Sequence, residues 1–237
     1  MTRPNNSFAN HTLAAFVAKD DKVKHLTDHP LTKAASEERI NIAKAGIEAK
    51  GHKVHVVADK DAAFELVKSL IPDGASVYTS HSTTLEEIGF MDHLKEAETA
   101  AVWKNINAQV YAEKNPFLQN EVRRKVGSSA DFFLTSMAAV TEAGELTHAD
   151  QFGSKIGPVL HSAGKVIVVV SSNKIVKNLE EAWKRVTEVC APLQAAYTRE
   201  VYKSDGSTIA NYQVIHGANP MNRDRIQVVL VKEALGF

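Results

Sequence analysis

Hydrophobic positions recur along this chain with two different periods, and the two periods alternate. Between Asp59 and Ile71 the apolar residues return every three or four positions, which is typical of a helix with one face in a core. The preceding segment, Lys53–Ala58, is a β-branched run that predicts a strand. Before it, Ala34–Lys50 again has helical spacing, with Gly51 at the C-terminal cap position. The pattern therefore predicts helix, strand and helix in succession.

The same alternation continues towards the C-terminus. Further strands are predicted at Ala75–Thr79, Thr99–Trp103, Asp131–Thr135, Lys165–Val170 and Ile226–Val231. Further helices are predicted at Thr83–Gly89, Phe117–Val126 and Asn178–Val189, the last one ended by Pro192. Because Lys165–Val170 has no polar alternation, both faces of this strand are expected to be buried, as in a parallel sheet. We therefore predict an α/β fold of three layers, with a mostly parallel sheet covered by helices.

Two parts of the chain lack this patterning. Residues 1–30 are polar and weakly patterned, so we expect an N-terminal arm or a partner-packing helix there, and one domain over residues 31–237. Residues 203–225 are rich in Gly, Asn and Ser and are expected to form an extended excursion.

Composition and charge narrow the classes of function. Lys+Arg and Asp+Glu each number 28, and this zero balance argues against bulk binding of nucleic acid or of an anionic membrane. The longest apolar run, Val166–Val170, is far short of the roughly 20 residues of a membrane helix, and Met1–Phe16 lacks a signal-peptide core. The single cysteine, Cys190, cannot supply the thiolates of an iron–sulfur cluster. We expect a soluble, cytoplasmic protein that needs no cofactor of its own.

The first candidate site is the turn between the strand at Ala75–Thr79 and the helix that follows. Ligands of open parallel sheets bind at the carboxyl ends of strands, and helix N-termini suit phosphates or carboxylates. Five polar side chains of this turn are candidates for binding an anion: Ser80, His81, Ser82, Thr83 and Thr84. The alternative is that Thr83 and Glu86 form a capping box and the remaining residues only make the turn.

The second candidate site follows the strand at Asp131–Thr135. Glu142, His148, Asp150 and Lys155 lie there among small residues, where a carboxylate is open to substrate and can act as base or nucleophile. The alternative is a polar hairpin that turns at residues 142–145.

Two further groups of side chains are candidate ligand contacts. His81 and His148, together with Glu142 or Asp150, would suit a divalent metal ion. Arg223 and Arg225, just before the last strand, are either solvated charges or guanidinium groups that reach a carboxylate at a strand end.

These segments together resemble the LUD (lactate-utilisation) domain family. The likeness is strongest at residues 130–186, ADFFLTSMAAVTEAGELTHADQFGSKIGPVLHSAGKVIVVVSSNKIVKNLEEAWKRV. Residues 76–90, SVYTSHSTTLEEIGF, resemble the family's hydroxyl-rich turn, and residues 225–237, RIQVVLVKEALGF, its closing strand and tail. The resemblance implies the fold of ribose-5-phosphate isomerases, sugar-phosphate deaminases and CoA transferases, enzymes that bind phosphate or CoA esters at strand ends.

The resemblance also implies roles for individual residues. Glu142 falls in the segment of an acid followed by glycine that those enzymes use catalytically, and Asp150 falls at their following acid. Lys155 stands where many family members have an arginine. His81 and His148 depart from the family pattern, which adds to the case for a metal ion.

Members of the LUD family are linked to the oxidation of lactate to pyruvate, alongside iron–sulfur and flavin-type partner subunits. The resemblance therefore implies a protein, expected to be a homo-oligomer, that binds a small organic acid similar to lactate or pyruvate. Ser80, Ser82, Thr83 and Thr84 would hold the anion, with Lys155 and Arg223 or Arg225 as its cationic partners. The alternatives are an enzyme similar to sugar-phosphate isomerases or CoA transferases, a non-catalytic subunit, and a sensor.

Overall fold

A parallel sheet of six strands forms the centre of the computed structural model, which describes residues 10–204 and 206–237. The strands of the described residues are β1 (Lys53–Val57), β2 (Ser76–Thr79), β3 (Lys104–Asn105), β4 (Phe132–Thr135), β5 (Ala139–Thr141), β6 (Leu146–Asp150), β7 (Lys165–Ser171), β8 (Ile175–Val176), β9 (Asn211–Ile215) and β10 (Ile226–Val231). The central sheet has the order β1-β10-β7-β4-β2-β3, and all of its strand pairs are parallel.

Helices connect these strands. Within the described residues they are α1 (Leu13–Lys19), α2 (Glu37–Ala49), α3 (Lys60–Leu70), α4 (Thr83–Glu87), α5 (Phe90–Thr99), α6 (Ile106–Ala112), α7 (Pro116–Val126), α8 (Leu179–Arg185) and α9 (Ala191–Tyr202). Local signals set several of the helix starts: the Asp59 carboxylate accepts from the Ala62 N–H before α3, and the Asn178 side chain does the same for Glu181 before α8.

The central sheet has a separate core on each face. Along β7, Val166 and Val168 belong to the core that contains α2, whereas Ile167 and Val169 belong to the core that contains α3 and α5. Successive side chains of a strand point to opposite faces, so an unbroken apolar run fills both cores at once. The predicted α/β fold with a mostly parallel, helix-covered sheet is confirmed.

A second sheet, of order β8-β5-β6-β9, lies over the α2 side of the molecule. β5 and β6 are an antiparallel hairpin that turns through residues 142–145, with Gly144 at φ +91°. The hairpin predicted as the alternative for this segment is therefore present, although its strands are buried rather than polar. β9 lies within the predicted excursion and pairs with β6.

Three of the sequence-based predictions are wrong in detail. The segment Thr99–Trp103, predicted as a strand, is instead the last residue of α5 and the turn that follows it, in which the Val102 N–H bonds to the Ala97 carbonyl and Ala101 is left-handed. The strand of this region is β3, which begins one residue after the predicted segment, at Lys104.

Pro192 does not end a helix. A π-helical turn at Val186–Cys190 joins α8 to α9, and Pro192 lies in the first turn of α9. The capping residue of α4 is Ser82, whose hydroxyl accepts from the Leu85 N–H, rather than Thr83.

The N-terminal segment is docked on the body of the protein where the structure describes it. α1 and the 3₁₀ turn Asp21–Asp28 pack on α9, with Phe16 and Leu26 in one apolar cluster with Leu193. Residues 1–9 of the predicted arm lie outside the described residues.

Candidate functional site

A cavity of about 580 Å³ lies at the carboxyl ends of β2 and β4. Its floor is made by the residues that follow these strands, Ser80 to Thr83 and Ser136 to Ala138. The walls come from α6, α7 and α9, from the end of β6, and from residues 204 and 206–209. This volume is typical of small-molecule sites, and the location is where open parallel sheets bind ligands.

His148 and Lys155 form one side of the cavity. His148 is 7% exposed, and neither of its ring nitrogens has a hydrogen-bond partner among the described residues. Burial lowers the pKa of His148 well below its usual value, and the charges of Lys155 and Lys174 lower it further. At neutral pH this imidazole is uncharged, with one donor and one acceptor unused, which is an unusual state for a buried polar group.

Lys155 is a half-buried cation of the cavity wall. Burial lowers its pKa, and the carboxylate of Asp150 acts in the opposite direction. Asp150 is itself tied to the loop, because its Oδ1 and Oδ2 accept from the backbone N–H groups of Phe152 and Lys155, each at 2.9 Å.

Lys174 lies directly behind the cavity wall and is fully buried. Its Nζ is 2.7 Å from Thr84 Oγ1, 3.0 Å from Ser136 Oγ and 3.3 Å from the Phe237 carbonyl oxygen. Burial, aided by the charge of Arg185, lowers the pKa of Lys174 to about 7.

Arg185 is a second fully buried cation behind the same wall. Its Nε donates to the Leu31 and Asn173 carbonyls at 3.1 Å, and its Nη1 contacts the Ala138 carbonyl and lies 3.0 Å from Cys190 Sγ. Its Nη2 has no hydrogen-bond partner within the described part of the chain. Cys190 is half-buried and lines the cavity.

His81 lines the cavity in front of a buried acid, Glu86. Nε2 of His81 is 3.5 Å from Glu86 Oε1 without hydrogen-bond geometry, and the His81 ring packs against the Tyr197 ring at a tilt of 43°, with 4.0 Å between ring centroids. Burial lowers the pKa of His81 to about 3 and raises the pKa of Glu86 to about 8, so both groups are uncharged at neutral pH.

The hydroxyl groups of the predicted anion-binding turn are largely engaged inside the protein. Ser82 caps α4, Thr83 Oγ1 accepts from the Phe237 N–H at 3.4 Å, and Thr84 accepts from Lys174. Ser80, Ser82 and Thr83 line the cavity together with His81. Because α4 is only five residues long, cationic side chains offer an anion more than its N-terminus does.

The structure brings Asp150, His148 and Lys155 to the cavity, but not Glu142. Glu142 lies at the hairpin turn against α2, where its Oε1 is 2.6 Å from Arg39 Nε. The catalytic role predicted for Glu142 stays a prediction, and its described partner is a cation outside the cavity lining.

Arg223 and Arg225 precede β10, so they lie at the amino ends of the parallel strands. The cavity lies at the opposite, carboxyl ends. Arg223 is exposed, and Arg225 donates to the carbonyls of Ala163 and Val159. The structure therefore does not bring these two guanidinium groups to the strand ends that form the cavity.

The described residues also bear on metal sites and on membrane spans. No three His, Cys, Asp or Glu residues gather there in an arrangement that could hold a metal ion. Within the same residues, every helix is too short or too polar to cross a bilayer.

Sequence reasoning missed the two buried cations and the acid behind His81. Lys174 follows directly on the most apolar strand of the chain, in Ser171-Ser172-Asn173-Lys174, which is a signal that could have marked it. Arg185 has no such local signal, since it falls in an ordinary polar helix sequence.

A comparison with protein families shows the family of this chain. The family model described as the LUD domain matches residues 40–231, and the chain belongs to the LUD-domain family. The solved structure of a DUF162 family protein from Deinococcus radiodurans is similar, with a TM-score of 0.47, 14% identity, and coverage of 84% of this chain and 99% of the other. No curated protein matches this chain.

Proposed function

We propose that this LUD-domain protein binds a small organic acid of the lactate or pyruvate class in the cavity at the ends of β2 and β4, in a role related to lactate utilisation. The observation that carries the proposal is the charge around this cavity. Arg123 and Lys155 line it, Arg185 lies just behind its wall, and Asp150 is the one acidic side chain among the described lining residues.

A carboxylate would complete several interactions that are missing. Placed beside Lys155, it would pair with that ammonium group and favour its charged form, which burial disfavours. The hydroxyl or keto oxygen of the same ligand would meet a buried imidazole, His148, whose two nitrogens are unpartnered. Membership of the LUD-domain family supports a lactate-like acid as the ligand. The cationic side chains around the cavity support a ligand that is an anion.

The test is calorimetric titration with lactate, pyruvate, inorganic phosphate, a sugar phosphate and a CoA ester. We expect lactate or pyruvate to bind, and Lys155→Met to weaken that binding by about 10- to 100-fold, because a charged hydrogen bond is lost. His148→Leu should weaken it as well. Lys165→Met is the matched control, since Lys165 is an exposed lysine at the amino end of β7.

Two results would contradict the proposal. One is tight binding of the sugar phosphate or the CoA ester without binding of either organic acid. The other is equal affinity of Lys155→Met and Lys165→Met for the acid that binds.

A further inference from the structure

We propose that Ser136 is a nucleophile activated by Lys174, and that the cavity cleaves or transfers the acyl group of an ester or thioester. Ser136 follows β4 directly and is 7% exposed on the cavity floor. Its Oγ is 3.0 Å from the Lys174 Nζ, which approaches from the protein side. A hydroxyl that faces a ligand cavity with a base behind it is the arrangement that nucleophilic catalysis requires.

The ammonium form of Lys174 would donate in all three of its contacts, and an uncharged amine can satisfy the same three. A neutral amine has two N–H donors and one lone pair, so it can donate to the main-chain oxygen of Phe237 and to Thr84 while accepting the proton of the Ser136 hydroxyl. The other contact of Ser136 Oγ, with the Met137 carbonyl at 3.5 Å, is too long to compete for that proton.

The charges around Lys174 come from several elements. Arg185 on α8 and Lys155 disfavour the ammonium form, whereas Glu87 on α4 and Cys190 favour it, and burial outweighs them all. The amine is therefore a base near neutral pH, which is the range in which general bases are most effective.

The cavity has room for the substrate that this chemistry requires. A three-carbon acid fills only a small part of about 580 Å³, which leaves space for a leaving group. The backbone N–H of Met137, next to the nucleophile, makes no hydrogen bond to any residue that the structure describes and is available to a developing oxyanion.

The reaction conserves atoms and charge. Lys174 Nζ takes the Ser136 proton as Oγ bonds to the carbonyl carbon; the C–O or C–S bond to the leaving group then breaks, and the departing alkoxide or thiolate takes the proton from the ammonium group. Water, deprotonated by the same amine, attacks the acyl-serine; the bond between the acyl carbon and Ser136 Oγ then breaks, and Oγ takes the proton back from the ammonium group, which releases the free acid and restores Ser136 and the neutral amine. No oxidant or metal ion enters this sequence.

The test is covalent labelling of the full chain with an alkyl fluorophosphonate, in which the serine displaces fluoride, followed by peptide mass spectrometry. We expect the adduct on Ser136, with a labelling rate that rises through about pH 7 as Lys174 loses its proton. Hydrolysis of p-nitrophenyl propionate should follow the same pH profile.

Four variants test whether Ser136 is the nucleophile and Lys174 its base. Ser136→Ala should carry no adduct, and Lys174→Met should label at least about 100-fold more slowly. Lys174→Arg keeps a buried cation but cannot accept a proton, so it too should lose labelling, even if Lys174→Met fails to fold. Ser172→Ala, a buried serine outside the cavity, should label at the normal rate.

An unlabelled native protein, an adduct at another residue, or full labelling of a folded Lys174→Met or Lys174→Arg variant would each overturn the proposal. Lys174 would then only tether the C-terminal segment to α4. None of these results depends on whether lactate or pyruvate binds.

Discussion

At the scale of single residues, Glu86 shows how burial sets the charge state of the site. Its polar neighbours among the described residues include His11 at 3.1 Å, and His81 and Tyr197 at 3.5 Å. Burial lowers the pKa of both histidines and raises the pKa of Tyr197, so that none of them offers Glu86 a charge at neutral pH. The acid is thus held in its protonated form.

This state predicts a pH dependence of stability. Because the folded pKa of Glu86, about 8, is above its usual value of 4.5, the folded protein binds more protons than the unfolded chain between these values. The contribution of Glu86 is therefore fully present below pH 4.5 and is lost as the pH rises towards 8.

We expect Glu86→Gln to match the native protein at pH 5 and to exceed its free energy of unfolding at pH 8, by at most about 4 kcal/mol. Denaturant titrations at both pH values measure this difference. Glu65→Gln, which alters an exposed acid paired with Lys68, should show no such trend. A Glu86→Gln variant that is less stable than the native protein at pH 8 would mean that the ionised acid stabilises the fold.

At the scale of elements, the hairpin of β5 and β6 meets α2 at two glycines. A Cβ atom on Gly46 would lie 2.5 Å from the Glu142 carbonyl oxygen, and one on Gly144 would lie 2.2 Å from the Gly46 carbonyl carbon. Only residues without a Cβ atom permit this close approach of the two backbones. The approach also sets the position at which Glu142 contacts Arg39.

Gly46→Ala should therefore destabilise the protein by about 1–3 kcal/mol, although alanine favours helices, because the overlap forces α2 away from the hairpin. Denaturant unfolding measures the change. Gly157→Ala is the control, since a Cβ there meets nothing within 4 Å. If both variants were as stable as the native protein, the contact would not be tight in solution.

At the scale of the whole molecule, the described N-terminal segment packs on α9 and shares an apolar cluster with it. Phe16 is 1% exposed and lies edge-to-face against both Tyr197 and Phe237, with centroids about 6 Å apart. It thus links the two ends of the described chain beside the cavity.

We expect Phe16→Ala to lower the free energy of unfolding by about 3 kcal/mol and to speed protease cleavage within residues 10–30, because a large core side chain is lost. Leu160→Ala, at a side chain that is 54% exposed, should change neither measurement appreciably. Native stability and native cleavage of Phe16→Ala would instead describe an arm that contributes nothing to the fold.

Sequence periodicity alone determined the layers of this protein. The unbroken run of β7 required burial on both faces, and the stripe of α3 with Asp59 before it placed a core-facing helix within one residue of its observed start. The turn after β2 and the segment after β4 were both recognised as candidate site segments, because a strand that hands over to a turn leaves a recognisable local pattern.

Only the tertiary structure decided which of these residues meet. Strand order is not written in the periodicity, yet the neighbours β2, β4 and β7 set Ser136 beside Lys174, 38 positions away, and the hairpin contact carries Glu142 to Arg39, 103 positions away. The same distant packing buries Lys174 and Glu86 and so moves their pKa values towards neutrality. A local pattern reports which face of an element is buried, whereas the chemistry of the site depends on contacts and desolvation that arise only when distant segments pack together.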